Sequence, residues 1–186
     1  MKRILMVIVL VATSGAGYGT APAAGQTPPA PGKPVAGARA EDLSSPDKLL
    51  TALYEVISGP AGQARDWERF RNLFVPGARL IPVARPPQGR AEVRTLSVDE
   101  YIARAAPVME KSGFFEREIA RREVRYGALL HAFSTYASGH SADDEKPFAR
   151  GINSIQLFFD GAQWRVVTIY WDAESPERPL PAEFLP

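Results

Sequence analysis

The fold is decided by one stretch of the sequence, Arg150-Gly-Ile-Asn-Ser-Ile-Gln-Leu-Phe-Phe-Asp-Gly-Ala-Gln-Trp-Arg-Val-Val-Thr-Ile-Tyr-Trp-Asp172. Two β-rich runs, 152–159 and 164–171, flank Asp160-Gly161, a pair suited to the positive φ angles of a hairpin turn of two to four residues. Both runs are apolar on both faces, so we expect a central hairpin that is covered on two sides. We expect Ile152, Phe158, Val166 and Tyr170 on one face, and Ile155, Leu157, Phe159, Val167, Ile169 and Trp171 on the other.

Residues 1–24 have the pattern of a secretory signal peptide. Lys2 and Arg3 precede an apolar run, 4–12, and small residues then lead to Ala21-Pro-Ala-Ala24, so cleavage is expected after one of the last two alanines. About nine strongly apolar residues are too few to cross a hydrocarbon core of ~30 Å, which favours a cleaved leader over a membrane anchor. We therefore expect an exported protein, periplasmic or secreted, with no membrane attachment after cleavage.

Composition and charge argue against several classes of function. The sequence contains no cysteine, which rules out a lipid-modified cysteine, disulfides and thiol chemistry. It has 22 basic and 21 acidic residues, and removal of Lys2 and Arg3 leaves 20 basic ones. A charge so close to zero gives no electrostatic reason to bind nucleic acid or an anionic membrane. His131 and His140 stand outside any metal-ligand motif, so we expect no metal and no cofactor.

One folded domain is predicted, at residues 43–175. Residues 25–42 are rich in Pro, Ala and Gly and almost lack large apolar side chains, so they predict a disordered linker. Residues 176–186 form a Pro-rich C-terminal tail. The domain is long enough to bury one core and too short for two.

Three helices and six strands are predicted in this domain. The helices begin at Ser45-Pro46, at Asp66 and at the capping box Ser97-Val98-Asp99-Glu100. The segment 114–126 has spacing of both helix and strand and is interpreted as a strand, like 128–138 after it. The order α-α-β-β-α-β-β-β-β predicts an α+β fold, a cone-shaped and strongly bent antiparallel sheet with the three helices on its concave face.

Three motifs resemble the nuclear-transport-factor-2-like superfamily (SnoaL-like, cystatin-like α+β) over residues 43–172. They are Arg65-Asp-Trp-Glu-Arg-Phe-Arg-Asn-Leu-Phe-Val-Pro-Gly-Ala-Arg-Leu80, Phe133-Ser-Thr-Tyr136 and the hairpin at 150–172. The chain is most similar to exported bacterial members without an assigned activity. The resemblance implies a ligand pocket in the cone between helices and sheet. Because members include isomerases, dehydratases, cyclases, oligomerisation modules and binding domains, it implies no particular activity.

Two residues are candidates for acid–base catalysis. His131 lies mid-strand among apolar residues, where an imidazole that projects into the cone would act as a base, while one that faces solvent would not. The alternative is a hydrogen-bonded core or interface histidine. Asp66 is either an acid of the site or the N-cap of the helix that follows it. The buried tyrosine with two aspartates of the isomerase-like pattern finds no match in the sequence.

Five side chains with an apolar body and a polar tip are candidates for ligand binding. They are Tyr136, Asn153, Tyr170, Trp171 and Trp67. Such groups suit a small-molecule pocket and an ordinary core equally well. The mixed charges of 116–125 are interpreted as a solvated or dimer-facing ladder.

The leading hypothesis is an exported small-molecule-binding or accessory domain with an apolar cone pocket. Its ligand would be small and apolar or amphipathic, and the domain would form a homodimer through its sheet. One alternative is a small-molecule lyase, isomerase or cyclase-like enzyme that uses His131 or Asp66. Another is a protein-interaction or dimerisation module with a filled cone and an apolar outer patch.

Overall fold

The computed structural model describes residues 39–86 and 89–186. The predicted signal peptide, 1–24, and most of the predicted linker lie outside the described residues. The last residues of that linker belong to a short 3-10 helix, Ala40–Leu43. No helix in the described part of the chain is long and apolar enough to span a membrane.

The described residues form three α-helices and six β-strands in the predicted order. The helices are α1 (Pro46–Ile57), α2 (Trp67–Asn72) and α3 (Val98–Ser112), and the strands are β1 (Phe74–Ala84), β2 (Glu92–Val93), β3 (Phe115–Tyr126), β4 (Leu129–Gly139), β5 (Ala149–Phe159) and β6 (Trp164–Ala173). The ambiguous segment after residue 113 is a strand, as predicted. A second 3-10 helix, Ala182–Phe184, lies in the C-terminal tail.

The six strands form one sheet in the order β2-β1-β6-β5-β4-β3. The α+β class and the cone with its helices on one face are confirmed. The sheet is mixed, however, because β1 runs parallel to β6 while the other neighbours are antiparallel. The sequence predicts an antiparallel sheet because hairpin signals are local, whereas β1 and β6 pair across most of the domain.

Each predicted helix start is confirmed by a side chain that caps the helix. The Ser45 hydroxyl accepts a hydrogen bond from the Lys48 backbone N–H at 3.2 Å. The Asp66 carboxylate caps α2 in the same way, at 2.9 Å. Ser97 and Glu100 form the reciprocal capping box of α3, with bonds of 3.2 and 2.8 Å. Such caps each stabilise a helix by about 1 kcal/mol because they satisfy backbone donors that the helix leaves free.

The core lies between α1 and the concave face of the sheet. One stripe of α1 is buried, at Leu49, Leu50, Leu53, Val56 and Ile57. It belongs to the same apolar cluster as the sheet residues Leu130, Ala132, Ile155 and Leu157. Full burial of one such large aliphatic side chain contributes roughly 1.5–3 kcal/mol, so this layer holds the helix on the sheet.

A β-bulge in β6 changes which residues of the central hairpin face the core. Gln156 pairs with Thr168 but the next residue, Leu157, pairs with Val166, so Val167 is the extra residue. Val166 is fully buried in the core cluster. The prediction that put Val166 on the face of Tyr170 was therefore wrong, because the bulge shifts the side-chain alternation by one residue.

A buried guanidinium fastens the end of α1 to α3. Arg65 donates hydrogen bonds to the backbone carbonyls of Ile57 at 3.0 Å, Gly59 at 2.6 Å and Met109 at 3.3 Å. Burial lowers the pKa of Arg65 from its ordinary value. A side chain at Gly59 would come within 2.9 Å of the guanidinium, which explains the glycine. The clamp sets the position of the end of α1, which borders the cavity described next.

Candidate functional site

A cavity of about 450 Å³ lies between α1, the start of β3, the end of β4 and the β4–β5 loop. Its apolar wall is formed by Leu50, Phe115, Ala137, Ala142 and Pro147. Polar groups from three elements converge on it, including Tyr54 of α1, Glu116 and Glu118 of β3 and Ser138 of β4. A partly open space therefore lies beside the packed core.

Glu116 is the polar side chain of the cavity lining that has the most unusual environment. Its Oε2 accepts a hydrogen bond from the Ser138 hydroxyl at 2.7 Å. A second hydrogen bond comes from the side-chain amide of Asn153. Burial raises the pKa of Glu116 to about 7, and both hydrogen bonds oppose that rise because they favour the charged form. The carboxylate is still half-buried rather than sealed, since its surface contributes to the cavity wall.

A chain of hydrogen bonds links the surroundings of Glu116 to a second carboxylate. The Ser134 hydroxyl donates to Glu118, so it must accept from the Tyr54 hydroxyl, which lies 2.6 Å away. Tyr54 in turn accepts from Asn153 Nδ2 at 3.1 Å. Arg121 Nε donates to Glu118 at 2.9 Å. The direction of every bond between the two carboxylates is thereby defined.

The two carboxylates of this network differ in charge compensation. Glu118 is paired with the guanidinium of Arg121. The groups that influence Glu116 are neutral, namely the hydroxyl of Ser138 and the amide of Asn153. A carboxyl with a pKa near 7 changes its charge close to neutral pH. Glu116 is therefore equipped to bind a hydrogen-bond donor or a cation, or to exchange a proton with a bound molecule.

Three tyrosines stand close enough to Glu116 to respond to its charge. Burial raises the pKa values of Tyr54, Tyr101 and Tyr136 above their ordinary value, and the negative charge of Glu116 adds to that rise. All three therefore remain protonated phenols. Tyr101 is held by aromatic contacts to Phe70 at 5.6 Å and Trp171 at 6.1 Å between ring centroids.

Three of the five predicted ligand-binding residues lie on the concave side of the sheet. Asn153 is buried within the network of Tyr54 and Glu116. Tyr136 is buried nearby, and a side chain at Gly151 would come within 2.5 Å of its hydroxyl. Trp171 packs against the core and Tyr101 without lining the cavity.

His131 and Tyr170 lie on the convex face of the sheet, away from the cavity. His131 Nε2 is 2.8 Å from the Ser154 hydroxyl, and its ring is 4.4 Å from that of Phe133. Phe133 on β4 and Ser154 on β5 each alternate with core residues along the strand. Both side chains therefore lie on the convex side of the sheet, together with that of His131. Tyr170 is 43% exposed. The structure does not bring these two residues to the site.

Asp66 and Trp67 also lie outside the cavity lining. The exposed carboxylate of Asp66 is used as the N-cap of α2. Trp67 packs edge-on against Phe70 with the ring centroids 5.7 Å apart. Its buried Nε1 finds no hydrogen-bond partner among the described residues. The two residues stabilise the start of α2, which is the alternative that the sequence left open for Asp66.

Glu116 and Glu118 are the site residues that the sequence did not single out. The interpretation of 116–125 as a solvated ladder is wrong for these two positions, since both line the cavity. A bulge at Ile119, between the pairs Glu118–Tyr136 and Ala120–Thr135, separates them from the exposed part of β3. A signal existed in the partner strand, where Ser134 and Ser138 interrupt apolar sequence at positions facing the glutamates.

Among residues 39–86 and 89–186, no group of three or more histidine, aspartate or glutamate side chains is arranged to hold a metal ion. The glutamates of the site are occupied by Ser138, Ser134 and Arg121 instead.

Comparison with known proteins identifies the fold. No protein-family model and no curated protein matches the chain. It is similar to a structure from Thiobacillus denitrificans provisionally assigned as a calcium/calmodulin-dependent protein kinase type II association domain, with 12% identity over 72% of this chain and 98% of that one, at a TM-score of 0.54. It is also similar to an NTF2-like protein of unknown function from Pseudomonas putida, with 12% identity over 75% of this chain and 93% of that one, at a TM-score of 0.53. At these identities the likeness establishes the fold, and the activity must be argued from the site.

Proposed function

We propose that this protein, which has the nuclear-transport-factor-2-like fold that the sequence motifs predict, binds a small molecule in the cavity between α1, β3 and β4. One observation carries the proposal. Glu116, a half-buried carboxylate with only neutral hydrogen-bond partners, lines a cavity of about 450 Å³. Small-molecule sites commonly have volumes of about 300–1,000 Å³ and a few convergent polar groups on an apolar wall.

A partly buried carboxylate without a cationic partner lowers the stability of the folded protein. A charge withdrawn from water is destabilising unless other groups compensate it. In this site Ser138 and Asn153 compensate Glu116 in part, and the pKa near 7 shows that the compensation is incomplete. A carboxylate that serves stability alone is usually paired, as Asp42 is with Arg69 through bonds of 2.8 and 2.9 Å. The unpaired state of Glu116 therefore supports a role in binding.

A fragment library screened by protein-observed NMR on the full chain tests this proposal. Members that bind are expected to shift the backbone signals of Glu116 and Ser138. Thr51→Trp places a large side chain at an exposed position of the cavity lining and should abolish these shifts. Lys48→Trp, on α1 outside the lining, is the matched control and should leave them intact. A library without any member that binds there, or equal binding by Thr51→Trp, contradicts the proposal.

A second candidate is an enzyme that moves a proton on the bound molecule. The pKa of Glu116 near 7 is suited to a general base. Glu116 replaces His131 and Asp66 as the acid–base residue of this alternative, because His131 and Asp66 lie outside the cavity. If it is correct, Glu116→Gln retains binding of the compound and loses its turnover.

We propose in addition that the convex face of the sheet contacts a second copy of the chain. Large apolar side chains are exposed there, at Val124, Tyr126, Leu129, Phe158 and Tyr170. Tyr126 is 86% exposed and Val124 is 72% exposed. Tyr126, Leu129 and Phe158 are direct neighbours across three strands. Adjacent exposed apolar groups of this kind are unusual on a monomer and favour an interface. The cavity speaks against the alternative of an interaction module with a filled cone.

Export remains a proposal that rests on residues 1–24 alone. It is tested by N-terminal sequencing of the protein after expression in a Gram-negative host. The expected mature chain begins at Ala24 or Gly25 in the periplasm or the medium. A chain that keeps Met1 and stays in the cytoplasm contradicts it.

A further inference from the structure

The ionisable groups that line the cavity carry an excess of negative charge. There are four carboxylates and two guanidinium groups, namely Glu55, Glu116, Glu118 and Asp144 against Arg117 and Arg121. Which of these charges remains uncompensated decides what kind of ligand the cavity accepts.

Two of the four carboxylates are already paired with arginine. Glu55 accepts a bond from Arg69 Nη2 at 3.0 Å. Glu118 accepts one from Arg121 Nε at 2.9 Å. Arg121 also forms ion pairs with Asp47 and Glu123, two exposed carboxylates outside the lining, and none of its contacts is with Glu116.

The third carboxylate and the remaining arginine do not reach Glu116 either. Asp144 Oδ2 accepts hydrogen bonds from the backbone N–H groups of His140 at 2.7 Å and Ser141 at 3.1 Å, which fixes the β4–β5 loop. Arg117 is exposed and directly follows Glu116 in the strand. Its side chain therefore projects from the face of β3 opposite to that of Glu116. Glu116 is thus the carboxylate of the lining without a cation or a backbone donor among the described residues.

Two aromatic side chains line the cavity together with this carboxylate. Tyr54 and Phe115 line the cavity. Tyr101 and Tyr136 lie near enough to respond to the charge of Glu116. The faces of such rings attract cations, and the attraction is strongest where water is excluded. Carboxylate and rings together form an environment that is complementary to an organic cation.

We infer that the ligand of this cavity carries a protonated amine, which binds the Glu116 carboxylate, on a small apolar or amphipathic body that packs against Leu50 and Phe115. The inference rests on the small-molecule binding proposed above and adds the chemical class of the ligand. An ammonium group supplies both the missing positive charge and up to three hydrogen-bond donors. A hydroxyl supplies one donor and leaves the charge uncompensated. A carboxylate or phosphate would meet like charge.

Binding of such a cation is coupled to pH. The titratable groups that face Glu116 are Tyr54 from α1, Tyr101 from α3, Tyr136 from β4 and Glu118 from its own strand. The tyrosines stay neutral throughout the range in which Glu116 titrates, because burial raises their pKa values. The ammonium ligand should therefore bind more tightly at pH 8 than at pH 5.5, where Glu116 holds a proton.

Three probes with the same body and different head groups test the inference: 2-phenylethylamine, 2-phenylethanol and phenylacetate. Each is titrated into the full chain at pH 8 while the Glu116 and Ser138 signals are followed by NMR. The amine is expected to bind at least about tenfold more tightly than the alcohol, as a charge-assisted hydrogen bond implies, and phenylacetate is expected not to bind. Glu116→Gln should weaken the amine by about tenfold and leave the alcohol unchanged. Glu68→Gln, an exposed carboxylate of α2 outside the lining, is the matched control and should change neither.

Amine binding that is absent, no tighter than that of the alcohol, or unaffected by Glu116→Gln overturns the inference, as does tighter binding of phenylacetate. Thr51→Trp provides a second variant that keeps the carboxylate and should block the amine. The two proposals fail differently. Neutral or anionic library members that bind at the cavity while the amine does not would overturn the ammonium assignment and leave small-molecule binding standing. A cavity that binds no member of any class overturns both.

Discussion

The hydroxyl groups of Tyr54 on α1 and Ser134 on β4 lie 2.6 Å apart, although the two residues are 80 positions apart in the chain. Both residues are buried, so their bond is formed out of contact with bulk water. It connects the helix layer to the sheet at the inner side of the cavity. Because Ser134 donates to Glu118, the bond also fixes the orientation of the Tyr54 phenol toward Asn153 and Glu116.

Tyr54→Phe should destabilise the fold by about 1–3 kcal/mol. The change removes one hydroxyl, so Asn153 Nδ2 loses one acceptor and Ser134 Oγ loses its donor in a buried place, which costs more than an exposed hydrogen bond contributes. Urea unfolding followed by circular dichroism measures the free energy of unfolding. Tyr126→Phe, at an exposed position, should change it by less than about 0.5 kcal/mol. Equal effects of the two changes would contradict the network.

Removal of the Arg65 guanidinium should cost more. Arg65→Met keeps most of the side-chain volume and leaves the carbonyls of Ile57, Gly59 and Met109 without their donors, so we expect a loss of about 3 kcal/mol or more. The control is Arg71→Met, whose partner Asp99 is exposed and whose ion pair should contribute less than about 1 kcal/mol. Urea midpoints compare the two variants. A smaller loss in Arg65→Met than in Arg71→Met would contradict the clamp.

Glu116 should make the stability of the protein fall as pH rises. The folded state holds the Glu116 proton up to about pH 7, whereas the ordinary pKa of glutamate is 4.5. Between these values the folded state binds more protons than the unfolded chain, so the free energy of unfolding decreases with increasing pH. The decrease should be on the order of 2 kcal/mol, since one pKa unit corresponds to about 1.4 kcal/mol and the cavity screens part of the effect.

That pH dependence belongs to a single residue and can be removed. Glu116→Gln should flatten the decrease between pH 4.5 and 7 in urea titrations and should be more stable than the native protein at pH 8. Glu68→Gln, at an exposed position of α2 outside the cavity lining, should keep the native slope. A Glu116→Gln variant with the native slope would show that another group causes the decrease.

Tyr126→Glu should weaken self-association through the convex face. A charge at this exposed apolar position would be buried without a partner in the contact between two copies. Sedimentation velocity at several concentrations measures the effect. Glu92→Gln, on the short strand β2 at the far edge of the sheet, is the control and should sediment like the native protein. A native chain that remains monomeric at high micromolar concentration contradicts the proposed homodimer.

The parts of the fold that sequence could predict are those set by neighbours in the chain. Ser45, Asp66 and Ser97 cap their helices through bonds to residues three positions away, so the signal and the structure lie in the same short window. The hairpin turn is local in the same sense. The Asp160 carboxylate accepts bonds from the backbone of Ala162 and Gln163, both at 2.8 Å, and closes a loop of four residues.

The parts that sequence could not predict depend on pairing between distant strands. The bulge at Val167 reverses the faces of the residues before it, and nothing within β6 itself marks that position. In the sequence, Glu116 is one charge within a run of mixed charges. Its role becomes visible only in the folded chain, where Ser138 of β4 donates a hydrogen bond to it and α1 forms the opposite wall of the cavity. The prediction for His131 rests on its apolar neighbours in the strand. Successive residues of a strand alternate between the two faces, so these neighbours do not determine which face the imidazole lies on.

The most direct test of the central claim is an NMR titration of the Glu116 side-chain carboxyl carbon in the full chain, with and without 2-phenylethylamine. We expect a pKa near 7 in the free protein, because burial without a cationic partner disfavours the carboxylate. Saturating amine should lower that pKa toward the ordinary value of 4.5. A Glu116 that titrates near 4.5 in the free protein, or a pKa near 7 that the amine leaves unchanged, would contradict the account.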